Sequence, residues 1–346
     1  MRVLVAMSGG VDSSVAAALL HEDGHAVTGA TMKLWGGESD TGCCSVADVD
    51  DARRVCQQLG IAHHVFNFSD DFERHVVDPY VADHAEGRTP NPCVECNRHL
   101  KFDRFLDRAL RLGFDAVATG HHARVSPTGT GRWELLRGAD AAKDQSYVLH
   151  MLAQEQLART LLPVGPFTKD EVRQVAARMS LRTASKADSQ DVCFISRAAG
   201  REAFLGARIP LREATLVDGT GAAVGSLPGF ELLTVGQRRG LGHLRTAGGE
   251  RAYVVDREPR AATVTIGPLE DLLVPEIRLG PMSWVDSPPA TGERLEVQMS
   301  AHGRPVACGW DPAGRVVLGE RVRRVAPGQS VVLYRGDRVV GGGPAL

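Results

Sequence analysis

Apolar runs of strand length alternate with helically spaced apolar stripes through the first half of the chain. Residues 3–6 read as a buried strand, and Ala16, Ala17, Leu19 and Leu20 as the stripe of the helix that follows. Residues 26–32 predict a second strand after a helix stop at Gly24. Val49, Ala52, Val55, Cys56 and Leu59 predict a helix closed by Gly60. Residues 64–68 predict a third strand, with Ser69 capping a helix that begins near Phe72 and ends near Gly87. Phe102, Phe105, Leu106, Ala109 and Leu110 form another helical stripe, and residues 116–119 a short buried strand. Residues 125–136, interrupted by Ser-Pro-Thr-Gly-Thr-Gly, read as a hairpin, and Lys143-Asp144-Gln145-Ser146 as the entrance to a helical region. Thr168 and Glu171 form a capping box before Val172, Val175, Ala176 and Met179. This alternation predicts an α/β fold with a doubly wound parallel sheet over residues 1–198.

The texture changes after that. Residues 199–262 are rich in glycine, with strand-like runs at 215–217 and 252–256, and predict a small, mainly-β central domain. Residues 263–346 carry further short runs at 264–266, 294–299, 316–317 and 331–334, which predict a C-terminal β-barrel-like domain.

Composition narrows the function without naming it. A net charge of -2 over 346 residues gives no global nucleic-acid signature, so affinity for RNA must come from local basic surface. Two such places exist. Residues 301–346 hold seven arginines (304, 315, 321, 323, 324, 335 and 338) against three acids (311, 320 and 337), and the segment Gly236-Gln-Arg-Arg-Gly240 adds a second basic element. No signal peptide and no bilayer-length apolar run are visible, so a cytoplasmic protein is expected. In that reducing compartment the seven cysteines point to sulfur or metal chemistry rather than a disulfide framework. Cys56 reads as a small core residue, and the vicinal Cys43 and Cys44 as structural.

The sharpest chemical signal is Ser8-Gly-Gly-Val-Asp-Ser13, placed between the first strand and its helix. Gly9 and Gly10 let backbone amides approach an anion closely, and the serines add hydroxyl donors at the positive end of the helix dipole. The Gly-Lys-Ser/Thr ending of a Walker loop is missing, so γ-phosphate chemistry is not the natural reading. The motif resembles the pyrophosphate loop of the adenine-nucleotide α-hydrolases. That resemblance implies a hold on the β,γ-pyrophosphate of ATP with Mg²⁺, and attack of a substrate oxygen on the α-phosphorus.

Two further stretches carry cysteines. In Asn91-Pro-Cys-Val-Glu-Cys-Asn97 the prolines stiffen the chain, and Cys96 is expected at or near a helix start, where a thiol is more acidic. In Asp191-Val-Cys-Phe-Ile195, Cys193 could be simple packing. Together with the loop, and with Lys143-Asp-Gln-Ser-Tyr147, Thr234-Val-Gly-Gln-Arg-Arg-Gly-Leu-Gly242 and Val325-Ala-Pro-Gly-Gln-Ser330, these stretches resemble the tRNA-specific 2-thiouridylases over nearly the whole chain.

The resemblance implies sulfur insertion at C2 of the wobble uridine of tRNA. ATP would lie on Ala6, Met7, Ser8, Gly9, Gly10, Val11, Asp12, Ser13, Met32 and Gly120, with Asp12 also in the catalytic set. Cys193 would carry a persulfide delivered by a sulfur-relay protein or cysteine desulfurase, with Cys96 as the nucleophile. His121, Lys143, Asp144, Gln145 and Gln329 would contact tRNA. Many family members have Asp where this chain has Cys93. The resulting Cys-x-x-Cys admits a second reading, a [4Fe-4S] cluster on Cys93, Cys96 and Cys193. Other enzymes with the same ATP loop, such as GMP, NAD and argininosuccinate synthetases, do not require the paired cysteines. A sulfur carrier or RNA-binding protein without its own chemistry is the reading from another class.

Overall fold

The structure, a computed structural model, describes all residues except 36–44, 188–191, 196–199, 243 and 247. Cys43 and Cys44 therefore lie outside the described residues.

The first strand, β1 (Arg2–Ala6), is almost wholly buried and runs into the serine-glycine loop and helix α1 (Val11–Glu22). Strand β2 (Ala26–Lys33), helix α2 (Val46–Gln58) and strand β3 (His63–Asn67) follow. A helical run from Ser69 to Ala85 comes next. Here Ser69 is the first helical residue rather than the cap: Asn67 Oδ1 accepts from its backbone N–H at 3.1 Å. A second helical run starts at Pro92, widens into π-helical turns over Cys96–Arg104 and ends at Arg111. Strand β4 (Ala116–Ala118) then enters the sheet, β5 (Ala123–Pro127) and β6 (Trp133–Arg137) form the expected hairpin, and β7 (Thr160–Leu161) follows. Helix α3 (Lys169–Arg178) opens on the capping box of Thr168 and Glu171.

Strands β3-β2-β1-β4-β7 make one parallel sheet. Apolar side chains cover both faces, because the connections from β1 to β2, β2 to β3 and β3 to β4 are crossovers that carry helices. Order reverses around β1, and the loop after it opens at the carboxyl edge of the sheet, where α/β folds collect ligands.

The middle of the chain forms a four-stranded sheet in the order β10-β11-β8-β9, from β8 (Ala214–Val217), β9 (Ala223–Leu227), β10 (Tyr253–Glu258) and β11 (Thr263–Gly267). The run at 263–267, expected to open the C-terminal domain, belongs here: it pairs with β8 and β10, and Val264, Ile266 and Leu272 are buried in this sheet's core. Periodicity shows that a run is a strand but not which edge it joins.

The C-terminal part contributes β12 (Leu273–Arg278), β13 (Ser283–Trp284), β14 (Arg294–Gln298), β15 (Val306–Asp311), β16 (Arg315–Arg323), β17 (Ser330–Arg335) and β18 (Arg338–Pro344) to an antiparallel sheet. The hairpin β5–β6 extends that sheet through β18. Buried Tyr147 adds a second tie, donating from its hydroxyl to the Ser330 carbonyl at 2.6 Å. The two ends of the chain thus share one body around the cavity described next.

Candidate active site

A cavity of about 410 Å³ opens at the carboxyl edge of the parallel sheet. Its walls hold all three informative stretches: Ser8, Asp12 and Ser13 from the loop, Cys93 and Cys96 from the second helical run, and Cys193.

Local packing explains why the loop has this sequence. Gly9 has φ +73°, and a Cβ there would lie 2.3 Å from the Asp48 carbonyl oxygen at the start of α2. Only glycine lets α2 approach so closely. A Cβ on Gly120 would lie 2.6 Å from the Ser13 backbone nitrogen, so the end of β4 also sits directly against the loop. Ser13 Oγ accepts from the Ser8 backbone N–H at 3.2 Å, and the Ser14 hydroxyl donates to the Gly10 carbonyl at 2.7 Å. Ala6, Met7 and Met32 line the cavity beside them. Gly10 precedes the first residue of α1 as its N-cap, and Val11 is turned into the core, so these two shape the loop.

Asp12 is the electrostatic centre. Lys169 Nζ donates to both of its carboxylate oxygens at 2.7 Å, and His122 Nε2 donates to Oδ1 at 3.1 Å. Burial alone would raise the Asp12 pKa, but these bonds outweigh it and hold the carboxyl below its ordinary 3.8. The sequence reading missed Lys169. A signal was present: Lys169 is the first residue of a helix, where the dipole disfavours a cation, so its place there calls for another reason.

The cysteines are held by their neighbours. Asn91 caps the second helical run by accepting from the Cys93 N–H at 3.1 Å, with Pro92 in the first position. Cys93, not Cys96, therefore occupies the first turn; Cys96 lies one turn further in, where π-helical winding begins. Spacing of three places both thiols toward one face. Cys193 reaches the cavity through Phe194, which is buried against Phe72, Tyr80 and Phe204 with ring centroids 5.2–5.7 Å apart. Upstream, Lys186 donates to Asp48 and Asp51 of α2 at 2.7 Å and ties the segment to the loop region.

Among the described residues no three His, Cys, Asp or Glu side chains converge closely enough to hold a metal ion. Cys93, Cys96 and Cys193 line one cavity.

The residues expected to contact tRNA divide into two kinds. Lys143, Asp144, Gln145 and His121 line the cavity. Asp144, however, is buried and accepts from the Gly138 and Ser146 N–H groups at 2.9 and 3.0 Å and from Arg137 at 3.1 Å. Its carboxylate organises the turn and is not available to RNA. Gln145 Oε1 accepts from the His122 N–H at 2.9 Å. His121 is buried, with Nδ1 2.6 Å from the Thr119 hydroxyl and Nε2 accepting from Lys101. Burial, then the Lys101 and His122 charges, push its pKa well below 6.5, so it is neutral. Gln329 lies outside the cavity lining and donates to the Thr89 carbonyl at 2.7 Å, while the Thr89 N–H donates to the Pro327 carbonyl at the same distance. Thr89 precedes the cysteine-bearing run by two residues, so the C-terminal domain grips the approach to Cys93.

The arginine surplus is mostly neutralised by folding. Arg304 pairs with Glu320, Arg315 with Asp311 and Glu276, Arg324 with Asp256, Arg335 with Glu293, and Arg338 with Glu134 and Asp286. Several of these acids lie outside residues 301–346, which is why a local count overstated the free charge.

Family models match in three consecutive pieces: a tRNA methyl transferase HUP domain over residues 1–197, a tRNA methyl transferase PRC-barrel domain over 202–268 and an aminomethyltransferase beta-barrel domain over 274–345. The tRNA-specific 2-thiouridylase of Chloroflexus aggregans is 47% identical over 351 residues, covering 99% of this chain and 97% of that one. The chain belongs to the tRNA-specific 2-thiouridylase family. The 2-thiouridylase of Carboxydothermus hydrogenoformans is 44% identical over 357 residues, 99% of this chain and 96% of its own. The U34-tRNA thiolase NcsA of Methanococcus maripaludis, solved with its [4Fe-4S] cluster, shares 18% identity over 60% of this chain and 63% of its own, at a TM-score of 0.38.

Proposed function

We propose that this protein catalyses ATP-dependent 2-thiolation of the wobble uridine of tRNA. One observation carries the reading: Cys96 and Cys193, 97 positions apart in sequence (193 − 96), line the same cavity as the pyrophosphate loop.

ATP is a substrate, with its pyrophosphate on residues 8–13 and its α-phosphorus facing the cavity. Asp12 and the Ser8 and Ser13 hydroxyls are hard oxygen donors of the kind Mg²⁺ takes beside phosphate and water, and Mg²⁺ there would offset charge on the departing pyrophosphate. The uracil O2 attacks the α-phosphorus; the new O–P bond forms as the bond to pyrophosphate breaks, and N3 keeps its proton, so the ring carries the positive charge that the incoming sulfur anion and the Cys96 thiolate then cancel. Adenylation makes O2 part of a good leaving group. The terminal sulfur of a Cys193 persulfide, supplied by a sulfur-relay protein or cysteine desulfurase, then attacks C2 and displaces AMP. Cys96 thiolate attacks Cys193 Sγ and breaks the S–S bond. The products are a C2 thiocarbonyl and a Cys96–Cys193 disulfide, which a thiol reductant reopens. Lys169 is the cation placed to neutralise phosphate charge once ATP competes for it with Asp12.

No helix among the described residues is long and apolar enough to cross a membrane. Three consecutive domains, bounded near 198 and between β11 and β12, would clasp the tRNA from several sides. Nucleoside mass analysis of tRNA incubated with the protein, ATP-Mg²⁺ and a persulfide source tests the reading. Exchange of oxygen for sulfur at the wobble uridine, requiring every component, is expected. Unmodified uridine in the complete mixture would overturn it.

A further inference from the structure

Asn97 follows Cys96 and lines the same cavity, with only 2% of its surface exposed. Its Nδ2 donates to the Val148 carbonyl at 3.0 Å. A carbonyl can only accept, so this bond fixes the amide's orientation and directs Oδ1 away from Val148. That Oδ1 is buried and has no hydrogen-bond partner among the described residues. A buried acceptor left unpaired costs folding free energy, and it calls for a donor that arrives from outside the protein.

Its position says which donor. The groups suited to the nucleotide, Ser8, Ser13 and Met32, come from the carboxyl edge of the sheet. Asn97 comes instead from the helical wall that carries Cys93 and Cys96, fastened to the segment after Tyr147. The base to be thiolated has to lie between these walls, with O2 toward the phosphate and C2 open to sulfur. In uracil, C2 is bonded directly to N3, and N3 carries a hydrogen. In cytosine, N3 is a lone pair.

We infer that Asn97 Oδ1 accepts a hydrogen bond from N3–H of the target uracil, making Asn97 a specificity-determining residue that admits uracil and rejects cytosine. The inference rests on the thiolation reading above. Holding N3 fixes the angle at which C2 and O2 are presented. Cytosine would set its N3 lone pair against the amide oxygen, leaving two buried acceptors facing each other, which is the strongest form of discrimination a neutral site can offer. An amide oxygen is not a base, so Asn97 orients the ring and does not take its proton.

The test uses the full-length protein, with an anticodon stem-loop carrying uridine at the wobble position and the same stem-loop carrying cytidine. Wild-type protein is expected to bind the uridine form about tenfold or more tightly. In Asn97→Ala that ratio falls toward one, while the KM for ATP stays unchanged. Asn97→Asp keeps an acceptor but loses the bond to Val148, so it retains a preference for uridine even if its Tm drops. That variant separates recognition from a merely structural role. An unchanged ratio in folded Asn97→Ala overturns the inference, and so does a raised KM for ATP with the ratio intact, which would assign Oδ1 to the adenine amino group. Loss of the preference in Asn97→Asp also overturns it. Failure of the wild-type protein to thiolate tRNA would overturn the function itself and is read separately, by nucleoside mass.

Discussion

Lys169 closes on both carboxylate oxygens of Asp12 at 2.7 Å, so the residue that opens α3 holds the acid at the head of α1. A buried cation next to a pyrophosphate loop is an electrostatic device as well as a brace. Replacing it with an apolar side chain of similar length, Lys169→Met, should slow pyrophosphate release about 10²-fold. Binding of tRNA should change little. A chemical-quench time course of pyrophosphate release checks this, and an unchanged rate would remove Lys169 from the catalytic set.

Acid should weaken the fold through buried histidines. Burial, then the Arg201 charge, lowers the pKa of His84 from 6.5 to about 4, and burial lowers that of His150 to about 4. Both are neutral when folded, and both take up a proton on unfolding once the pH is below 6.5. The unfolded state then binds more protons, so stability rises with pH between about 4 and 6.5 and falls as acid is added. Each such group contributes roughly 1 kcal/mol per pH unit in that window. Urea unfolding of His84→Asn at pH 5 and pH 7 should show a shallower pH dependence than wild type.

Gln329 should act on the cysteine-bearing run rather than on RNA alone. Its bond to the Thr89 carbonyl ties the β17 approach to the chain just before Asn91. Gln329→Ala should lose about 1 kcal/mol of that tie. Thiolation should slow several-fold, with the KM for ATP unaltered. Hydrogen exchange across residues 88–97 should rise in the variant; unaltered exchange would argue against the clamp.

Cysteine variants separate the two sulfur mechanisms. Cys96→Ser and Cys193→Ser should each abolish thiolation while pyrophosphate release persists. Cys93→Asp should remain active without iron. Metal analysis after anaerobic purification, with activity measured on the same sample, decides it. Stoichiometric iron needed for activity would reverse the assignment.

Salt dependence should reveal which arginines meet the backbone of tRNA. Arg238 and Arg239 are exposed and have no carboxylate partner among the described residues, whereas Arg335 and Arg304 are paired with Glu293 and Glu320. The double change Arg238→Ala with Arg239→Ala should reduce the slope of log Kd against log salt by about one to two. Arg335→Ala should leave it nearly unaltered.

Periodicity made the parallel sheet legible, because each strand and helix there carries its own apolar code and short connections force neighbours together. The shape of the serine-glycine loop was legible for a similar reason: Gly9 and the serines meet local requirements of a tight strand-to-helix turn. Other features have no local code. The β5–β6 hairpin extends a sheet built from the far end of the chain, with Leu136 paired to Arg338, and β11 joins the central sheet, since hydrogen-bonding edges are alike in sequence. Charge counts misjudged the C-terminal arginines because their partners come from other segments.

Sequence by itself determined the parallel α/β core and the serine-glycine loop that leads into its first helix, each written in contiguous residues whose local requirements have few alternatives. Tertiary structure alone decided that Lys169 meets Asp12, that Gln329 holds Thr89, and that Asn97 keeps an unanswered oxygen beside Cys96. Those depend on which distant groups share one buried space, and burial, which strengthens a paired charge and penalises an unpaired acceptor, is a property of the folded chain.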